Sequence, residues 1–317
     1  MKTYTDIRDA IFEELYDIAL KDKKTVILSA DTGALMFKKF KETIPGQFYN
    51  VGIAEQNAMS VAAGLAFTGR HVFVFGIANF VTLRCFEQIK IDIVSMKMPV
   101  TILASGTGYV YSEDGPTHHM TDNLALIRTL PGFTIWSPSS CSMAASLIHL
   151  AYQMPGPNCL WFDKGPFPPL YENGEHDFSE GVSLLKPGKE LLIVSTGIMV
   201  GEALKIAEEL EKNGVSAGVV DLYRLKPLNK KLLFDILKET KRIVTLEEHT
   251  VSGGLGGIIC EFLAESQLLL PVKILGIPDV FRYEVGTRER LRFLDGINSS
   301  SVVNNIKNWL NSCVTKN

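Results

Sequence analysis

The chain has 317 residues, 46% of them hydrophobic and 21% charged, with a formal net charge of −3. That length suits two domains of ordinary size, and the composition excludes disorder as the dominant state. The balanced charge carries no nucleic-acid footprint, and no apolar stretch reaches the roughly 20 residues of a membrane span, so neither nucleic acid nor membrane is an expected partner.

From Asp6 to Leu20 the apolar residues Ile7, Ile11, Leu15 and Ile18 recur at helical spacing. Thr25 to Ser29 reads as a buried strand ending at Asp31. Ala54 to Phe67 is small and apolar enough for a tightly packed helix. His71 to Phe75 and Val100 to Ala104 read as further strands, Leu83 to Met96 as a helix, and Asn158 to Phe162 as the strand that closes the series. This is a βα repeat with a largely parallel sheet. A Pro/Gly-rich segment follows, from Gly165-Pro166-Phe167-Pro168-Pro169 to Lys186-Pro187-Gly188, and reads as an interdomain connection.

The alternation then restarts. Strands are expected at Leu191 to Ser195, Ala217 to Asp221, Arg242 to Leu246 and Val272 to Leu275. Helices are expected at Met199 to Asn213, Asn229 to Lys238, from the Gly253-Gly254-Leu255-Gly256-Gly257 run to about Glu265, and at Ser301 to Leu310. The expected architecture is two doubly wound three-layer α/β/α domains, residues 1–170 and 190–317, joined by a linker at 171–189. The N-terminus has no apolar signal region. The five cysteines (Cys85, Cys141, Cys159, Cys260, Cys313) show no metal-binding spacing, which fits free thiols in a reducing cytoplasm and no metal site on this chain.

Two segments are dense in possible chemistry: Val51-Gly52-Ile53-Ala54-Glu55-Gln56 and Glu113-Asp114-Gly115-Pro116-Thr117-His118-His119. Glu55 stands among small apolar residues, and a buried carboxylate must be paired or take up a proton. The local pattern alone favours a first-turn residue interacting with a helix dipole. The alternative is a carboxyl group hydrogen-bonded to a ring nitrogen of a cofactor. Of the adjacent His118 and His119, one is expected to face a ligand and the other to be structural. Asp114 either orients a hydroxyl or a histidine, or belongs to a turn, since Asp-Gly-Pro is turn chemistry in itself. The glycine run at 253–257 lacks the spacing of a phosphate loop, and close helix-to-sheet packing explains it more simply.

Taken in order, these segments resemble the C-terminal two-thirds of a thiamine-diphosphate transketolase. The resemblance runs through Ser29-Ala30-Asp31, Val51 to Glu55, Phe80, Arg84-Cys85-Phe86-Glu87-Gln88-Ile89, Glu113 to His118 and Leu130-Pro131-Gly132-Phe133-Thr134. Downstream it includes Ser195-Thr196-Gly197, Lys226-Pro227-Leu228 and Glu247-Glu248-His249. It implies a pyrimidine-binding domain followed by a transketolase C-terminal domain that mainly supports dimerisation. The Gly-Asp-Gly…Asn motif, with which transketolases hold the diphosphate and Mg2+ (or Ca2+), does not occur here. The chain therefore resembles the second subunit of a split transketolase, with a separate N-terminal subunit carrying that motif and most of the metal site, in an α2β2 heterotetramer.

The resemblance also implies roles. Glu55 falls on the glutamate that hydrogen-bonds the pyrimidine ring and promotes its imino tautomer; Asp31 and Ile53 fall near the cofactor, and Phe80 on an aromatic that stacks on the pyrimidine. Asp114 and His118 fall on residues that contact hydroxyls of the sugar. At the phosphate end of the channel, Arg8 falls on a phosphate-binding arginine. Lys164 replaces a second arginine, a point charge in place of a bidentate fork. Leu35 and Gly106 stand where a serine and a histidine are usual, and Gly106 is expected to open space there. The expected reaction is transfer of a two-carbon ketol unit from a ketose donor to an aldose acceptor, with sugars or sugar phosphates as substrates. The competing expectations are a deoxyxylulose-phosphate-synthase-like or 2-oxo-acid dehydrogenase β-type subunit, and a non-catalytic partner subunit. The Glu-Asp-Gly-Pro-Thr-His segment favours transketolase, and retention of Glu55 and His118 argues against loss of catalysis.

Overall fold

The computed structural model describes residues 4–34, 36–154, 156–171 and 176–314. Leu35, residues 172–175 of the expected linker and the side chain of Cys313 lie outside the described residues. In the first half of the chain the elements are α1 (Ile7–Lys21), β1 (Thr25–Ser29), α2 (Phe37–Thr43), β2 (Phe48–Asn50), α3 (Glu55–Phe67), β3 (His71–Ile77), α4 (Ala78–Thr82), α5 (Phe86–Gln88), β4 (Val100–Ser105), α6 (Asn123–Ile127), β5 (Thr134–Trp136), α7 (Cys141–Gln153) and β6 (Asn158–Phe162). The second half has β7 (Val182–Lys186), β8 (Leu191–Ser195), α8 (Met199–Lys212), β9 (Ala217–Leu222), β10 (Arg224–Lys226), α9 (Lys230–Leu237), β11 (Ile243–Thr250), α10 (Leu255–Glu265), β12 (Val272–Ile277), α11 (Arg288–Leu294) and α12 (Ser299–Val314).

The apolar runs are parallel strands buried on both faces, which is why they read as continuous rather than alternating. The first sheet has the order β10-β5-β6-β4-β3-β1-β2 and the second β12-β11-β8-β9-β7. Only the edge strands β10 and β7 run antiparallel to their neighbours. Side chains along β1 go alternately to two cores. Val26 and Leu28 meet Ala58 and Ala62 of α3, whereas Ile27 joins residues of α1 and α7. The second sheet divides in the same way: Leu192 and Val194 share a core with Leu233 and Ile259, and Leu191 and Ile193 with Ile206 and Val302. Both domains are three-layer α/β/α units.

Several elements differ from the sequence expectation. Leu83 to Met96 is not one helix: α4 begins five residues earlier, α5 follows a break, and a π turn spans Ile89–Val94. At the break Cys85 Sγ donates to Phe80 O (3.1 Å), occupying a carbonyl that a continuing helix would use. The segment read as a linker includes β7, whose antiparallel pairing with β9 makes it an edge of the second sheet. β10 crosses from the second half to the first sheet, and Lys226 Nζ donates to the carbonyls of Arg128 (2.6 Å) and Leu130 (2.5 Å). Thus the Lys-Pro-Leu and Leu-Pro-Gly segments, far apart in sequence, bind each other across the domain seam.

The chain moves from β1 to β2 on one side and then to β3 on the other. This reversal of strand order opens a crevice at the carboxyl ends of β1 and β3, where doubly wound sheets place their ligands.

A buried carboxyl group also lies at the seam. Asp221 of β9 is inaccessible to solvent, accepting hydrogen bonds from Ser139 Oγ (2.5 Å) and Tyr171 Oη (2.8 Å). Burial pushes its pKa up to about 7, although both hydroxyls oppose the shift. Because the folded pKa lies above the unfolded one, its contribution to stability is complete below the unfolded carboxylate range and is lost as pH rises through about 7. Asp221→Asn should therefore lose less Tm than wild type between pH 5 and pH 8 in parallel thermal melts. Identical pH dependence would show that Asp221 ionises freely.

Candidate active site

Apart from Arg8, which lies near the start of α1 ahead of the first strand, the candidate residues follow the carboxyl ends of strands of the first sheet. Asp31 follows β1 and adopts a left-handed φ of 54°, which a non-glycine residue keeps only when its surroundings hold it. Asn50, at the end of β2, provides the hold. Its Nδ2 donates to Asp31 Oδ1 (2.8 Å), and its Oδ1 accepts from the N–H groups of Asp31 (3.2 Å) and Gly52 (2.9 Å). One amide thus joins Asp31 to the loop leading into Glu55. Asp31 also lines an open cavity of about 620 Å3 with Phe37, Lys38 and Lys41.

Glu55 is the first residue of α3 and only 5% exposed, whereas Ile53, two residues before it, is 80% exposed. The carboxylate accepts from Arg84 Nη1 at 2.9 Å. The same guanidinium lies 4.3 Å from the centre of the Phe80 ring, a cation–π distance. Beneath them the Cys85 thiol is pushed up to about 12 by burial, with the charge of Glu55 adding to the shift. Glu55 is therefore both a helix N-terminal carboxylate and one arm of a built cluster.

Phe80 meets His118 edge to face, with ring centres 5.0 Å apart. The loop carrying His118 is fixed from behind: Asn79 Nδ2 donates to Thr117 O (2.7 Å), and Asn123 Nδ2 bridges Asn79 Oδ1 (3.1 Å) and Thr82 Oγ1 (2.6 Å). His118 Nδ1 pairs with Thr117 Oγ1 at 3.0 Å. His119 points the other way. It is buried, packs on Tyr109 at 4.9 Å between ring centres, and is held toward the neutral form by burial. Asp114 is exposed, and among the described residues its carboxylate makes no hydrogen bond.

Arg8 and Lys164 reach the other end of this row. Asp6 caps α1 through the N–H groups of Arg8 (2.8 Å) and Asp9 (3.4 Å), and its second oxygen accepts from Gly165 N–H (3.1 Å). That stitch brings the two basic residues to one place. Tyr111, which no sequence pattern marked, lies between Lys164 and His118, and the charge of Arg8 acts on its phenol. Lys164 Nζ is 4.1 Å from its ring centre and the His118 ring 5.9 Å. The expectation of open space at Gly106 is corrected: a Cβ there would come within 2.3 Å of Tyr111 Cε2, so the tyrosine ring already fills the position.

The whole arrangement rests on a buried charge network from the second domain. Arg288 Nη1 pairs with Asp163 Oδ2 (2.7 Å), Arg288 Nη2 pairs with Glu248, and Arg292 Nε pairs with Glu248 Oε1 (2.5 Å). Burial alone would raise the pKa of Glu248, but the two guanidiniums outweigh it and hold the carboxyl at about 2. The neighbouring Glu247 accepts from the N–H groups of Leu255 (2.6 Å) and Gly256 (2.9 Å) at the start of α10, and burial pushes it up to about 7. The glycine run is thus close packing: a Cβ at Gly254 would strike Glu247 and His249, and one at Gly256 would strike Ile274.

Two comparisons with known families match most of the chain. Residues 4–168 match the pyrimidine-binding domain of transketolase, and residues 181–302 match the transketolase C-terminal domain. One subunit of the apulose-4-phosphate transketolase of Phocaeicola vulgatus is 35% identical over 274 residues, covering 86% of this chain and 87% of that protein. The 1-deoxy-D-xylulose-5-phosphate synthase of Caldanaerobacter subterraneus is 31% identical over 94% of this chain but only 48% of its own length. A split-gene transketolase, solved as an inactive β4 tetramer, superposes with a TM-score of 0.85 at 33% identity, covering 96% of this chain and 98% of that one.

Removing one member of a buried ion network strands its partners, typically at about 3–5 kcal/mol. Glu248→Ala should lower the urea-unfolding free energy by about that amount. Because the Glu248 pKa is depressed, the loss should be seen at neutral pH and should shrink as acid protonates the wild-type carboxyl toward pH 2. A loss below about 1 kcal/mol would mean that solvent screens the cluster like a surface pair.

Proposed function

The chain belongs to the transketolase family, and from that premise we propose that it is the pyrimidine-binding subunit of a split transketolase, moving a two-carbon ketol unit from a ketose donor to an aldose acceptor. One observation carries the proposal: the unbroken row from Glu55 through Arg84, Phe80, His118 and Tyr111 to Lys164. A buried carboxylate stands at one end and a cation at the other, at the strand-order reversal of the first sheet.

The residues present suit the pyrimidine half of thiamine diphosphate. Glu55 is buried, follows the exposed apolar Ile53 by two residues, and shares Arg84 with the Phe80 ring. When bound, the cofactor supplies the carbon nucleophile and the electron sink for carbon–carbon cleavage. Glu55 would share one proton with a pyrimidine ring nitrogen, the carboxyl group donating it or the protonated ring nitrogen returning it, and Arg84 sets the orientation of the carboxyl group. Phe80 offers the ring face away from Arg84 for stacking, and Asp31 borders the site. His118, with Nδ1 taken by Thr117, presents Nε2 to a sugar hydroxyl, and Asp114 reaches a second one. Arg8 and Lys164 bind an anionic group at the far end of the sugar.

Among the described residues no group of three or more His, Cys, Asp or Glu is placed to hold a metal. In this proposal the diphosphate and its Mg2+ (or Ca2+) are held mainly by a separate N-terminal subunit carrying Gly-Asp-Gly…Asn, in an α2β2 heterotetramer working in the cytoplasm. Two relatives support the division: one is a single subunit of a transketolase rather than the whole enzyme, and the other is a split-gene transketolase whose β4 tetramer is inactive. The pyrimidine-binding domain is assigned to residues 1–170 and the C-terminal domain to 190–317, with β7 of the intervening 171–189 serving the second sheet. A synthase acting on a 2-oxo acid is the alternative, supported by the 31% identity to the deoxyxylulose-phosphate synthase. Turnover of pyruvate in preference to a ketose donor would establish it.

The chain alone should show no ketol transfer and should gain it when assembled with the diphosphate-binding subunit; full activity of the purified single chain would refute the division. In the assembled enzyme, Glu55→Gln should slow hydrogen–deuterium exchange at cofactor C2 by about 10²–10⁴-fold, the range of general acid–base catalysis, while melting close to wild type. Exchange at the wild-type rate would leave Glu55 with only its helix-terminal role. His118→Ala should raise donor KM and lower kcat more than His119→Ala does, measured side by side; the reverse order would exchange their roles.

A further inference from the structure

Tyr111 is the residue at the substrate end that the function proposed above does not yet use. It is half-buried on the connection between β4 and His118. Gly106, at the start of that connection, has a φ of 99°, and a Cβ built there would fall 2.3 Å from Tyr111 Cε2 and 3.0 Å from Cδ2. The ring therefore occupies the volume that any side chain at 106 would need. Burial raises the pKa of the phenol, and the charge of Arg8 opposes the shift without reversing it. The hydroxyl keeps its proton at neutral pH and is a hydrogen-bond donor.

The charge of Asp9 acts on Arg8 without a direct ion pair between them among the described residues. Among the described residues neither Arg8 nor Lys164 has a side-chain ion pair with a carboxylate, and Arg8 Nε is buried without a hydrogen-bond partner. An orphaned guanidinium N–H is costly unless a ligand satisfies it. Lys164 Nζ sits over the Tyr111 ring at 4.1 Å, which holds a flexible ammonium in one place. A phenol donor and an ammonium thus meet at one tyrosine ring, within reach of the charge of the Arg8 guanidinium.

Resting on the assignment of Arg8 and Lys164 to the substrate channel, we propose that Tyr111 is a specificity-determining residue. Its hydroxyl and the ammonium braced on its ring bind, together with Arg8, an oxyanion substituent at the far end of the sugar. The ring also closes the space above Gly106, so that the channel selects for a compact anionic group and against bulk. A phosphate, a sulfonate or a carboxylate would satisfy the same donors.

The test uses the chain assembled with its diphosphate-binding subunit. Three acceptors of one chain length are compared: a phosphorylated aldose, its sulfonate analogue and the unsubstituted aldose. The quantity read is the ratio of kcat/KM for each anionic sugar over the unsubstituted one. Tyr111→Phe keeps the ring and loses one hydrogen bond to a charged group, so the ratio should fall about 10–150-fold, through KM. Tyr111→Leu also frees Lys164 and should lower the ratio further. Lys164→Ala is the control for the underlying assignment. If it leaves the ratio at the wild-type value, the channel assignment itself fails. If it lowers the ratio while both Tyr111 variants leave it unchanged, Tyr111 is not a specificity residue and only this proposal falls.

A second measurement needs no activity. Gly106→Ala should lower the Tm of the isolated chain, and by less in the Tyr111→Leu background, because part of the cost is collision with the ring. Strictly additive effects would overturn the space-filling part of the proposal.

Discussion

The site depends on the salt bridges that Arg288 and Arg292 make with Glu248 and Asp163. Glu248 lies at the carboxyl half of β11 in the second domain, and Asp163 directly follows β6 in the first. Two carboxylates and two guanidiniums, largely removed from water, pair with each other across the seam, and Arg292 Nη2 alone of these groups is buried without a hydrogen-bond partner among the described residues. The desolvation cost of such a group is recovered only when geometry is good and every partner is present. The network therefore tolerates one relative position of the domains, which gives it value as a positioning device rather than as net stabilisation. Its consequences reach the site directly. Lys164 N–H donates to Asp163 Oδ1 at 2.7 Å. Gly108 packs so closely on Glu248 that a Cβ there would lie 2.2 Å from Oε2. The connection carrying Tyr111 and His118 is thus pinned at its start by the second domain and further along by Asn79. The C-terminal domain acts here as part of the scaffold of the first domain's candidate-site loops.

The fold was legible where the sequence repeats one physical pattern. Runs such as Thr25–Ser29 and Leu191–Ser195 are apolar on both faces because parallel central strands are covered on both sides. Legibility failed where elements are short or borrowed. β2, β5 and β10 have three residues each, too few for a period to show. β10 exists only because a strand from the second half finds the edge of the first sheet, a long-range event without a local signature. α7 was open to discovery, since Ser140 caps it through Met143 N–H at 3.2 Å and its apolar face repeats at Met143, Ala144, Leu147, Ile148 and Ala151.

The candidate site was legible in its ionisable groups and obscure in their supports. Glu55, Asp114 and His118 stood out because charge beside small residues or turn chemistry is unusual in a core-forming context, whereas Arg8 and Lys164 were marked only by the family resemblance. The structure joins Glu55, His118, Arg8 and Lys164 through residues with no such signal. Asn50 holds Asp31 in a left-handed conformation, Arg84 connects Glu55 to Phe80, and Tyr111 fills the place of a side chain at Gly106. A neutral amide or an aromatic ring looks like ordinary packing until its neighbours are known. For the same reason the glycine at 106 was misread as a gain of space. The absence of a side chain at one position says nothing about volume until the side chain that moved into it is found five residues on.

That exchange of volume bears on how substrate selection and fold are coupled in this protein. Gly106 must remain glycine for two reasons at once: its φ of 99° excludes most side chains, and Tyr111 holds the space. Changing the chemistry at the anion end by restoring a side chain at 106 would require the tyrosine to leave. Its departure would release Lys164 from the ring and remove the phenol donor beside it. The positions are therefore coupled, and a single substitution at either alters packing before it alters recognition. Asp163 extends the coupling, since it anchors Lys164 from behind while belonging to the interdomain network. In the proposed channel, selectivity at the far end of the sugar and the docking of the second domain thus share one buried carboxylate, so neither can be changed freely without disturbing the other.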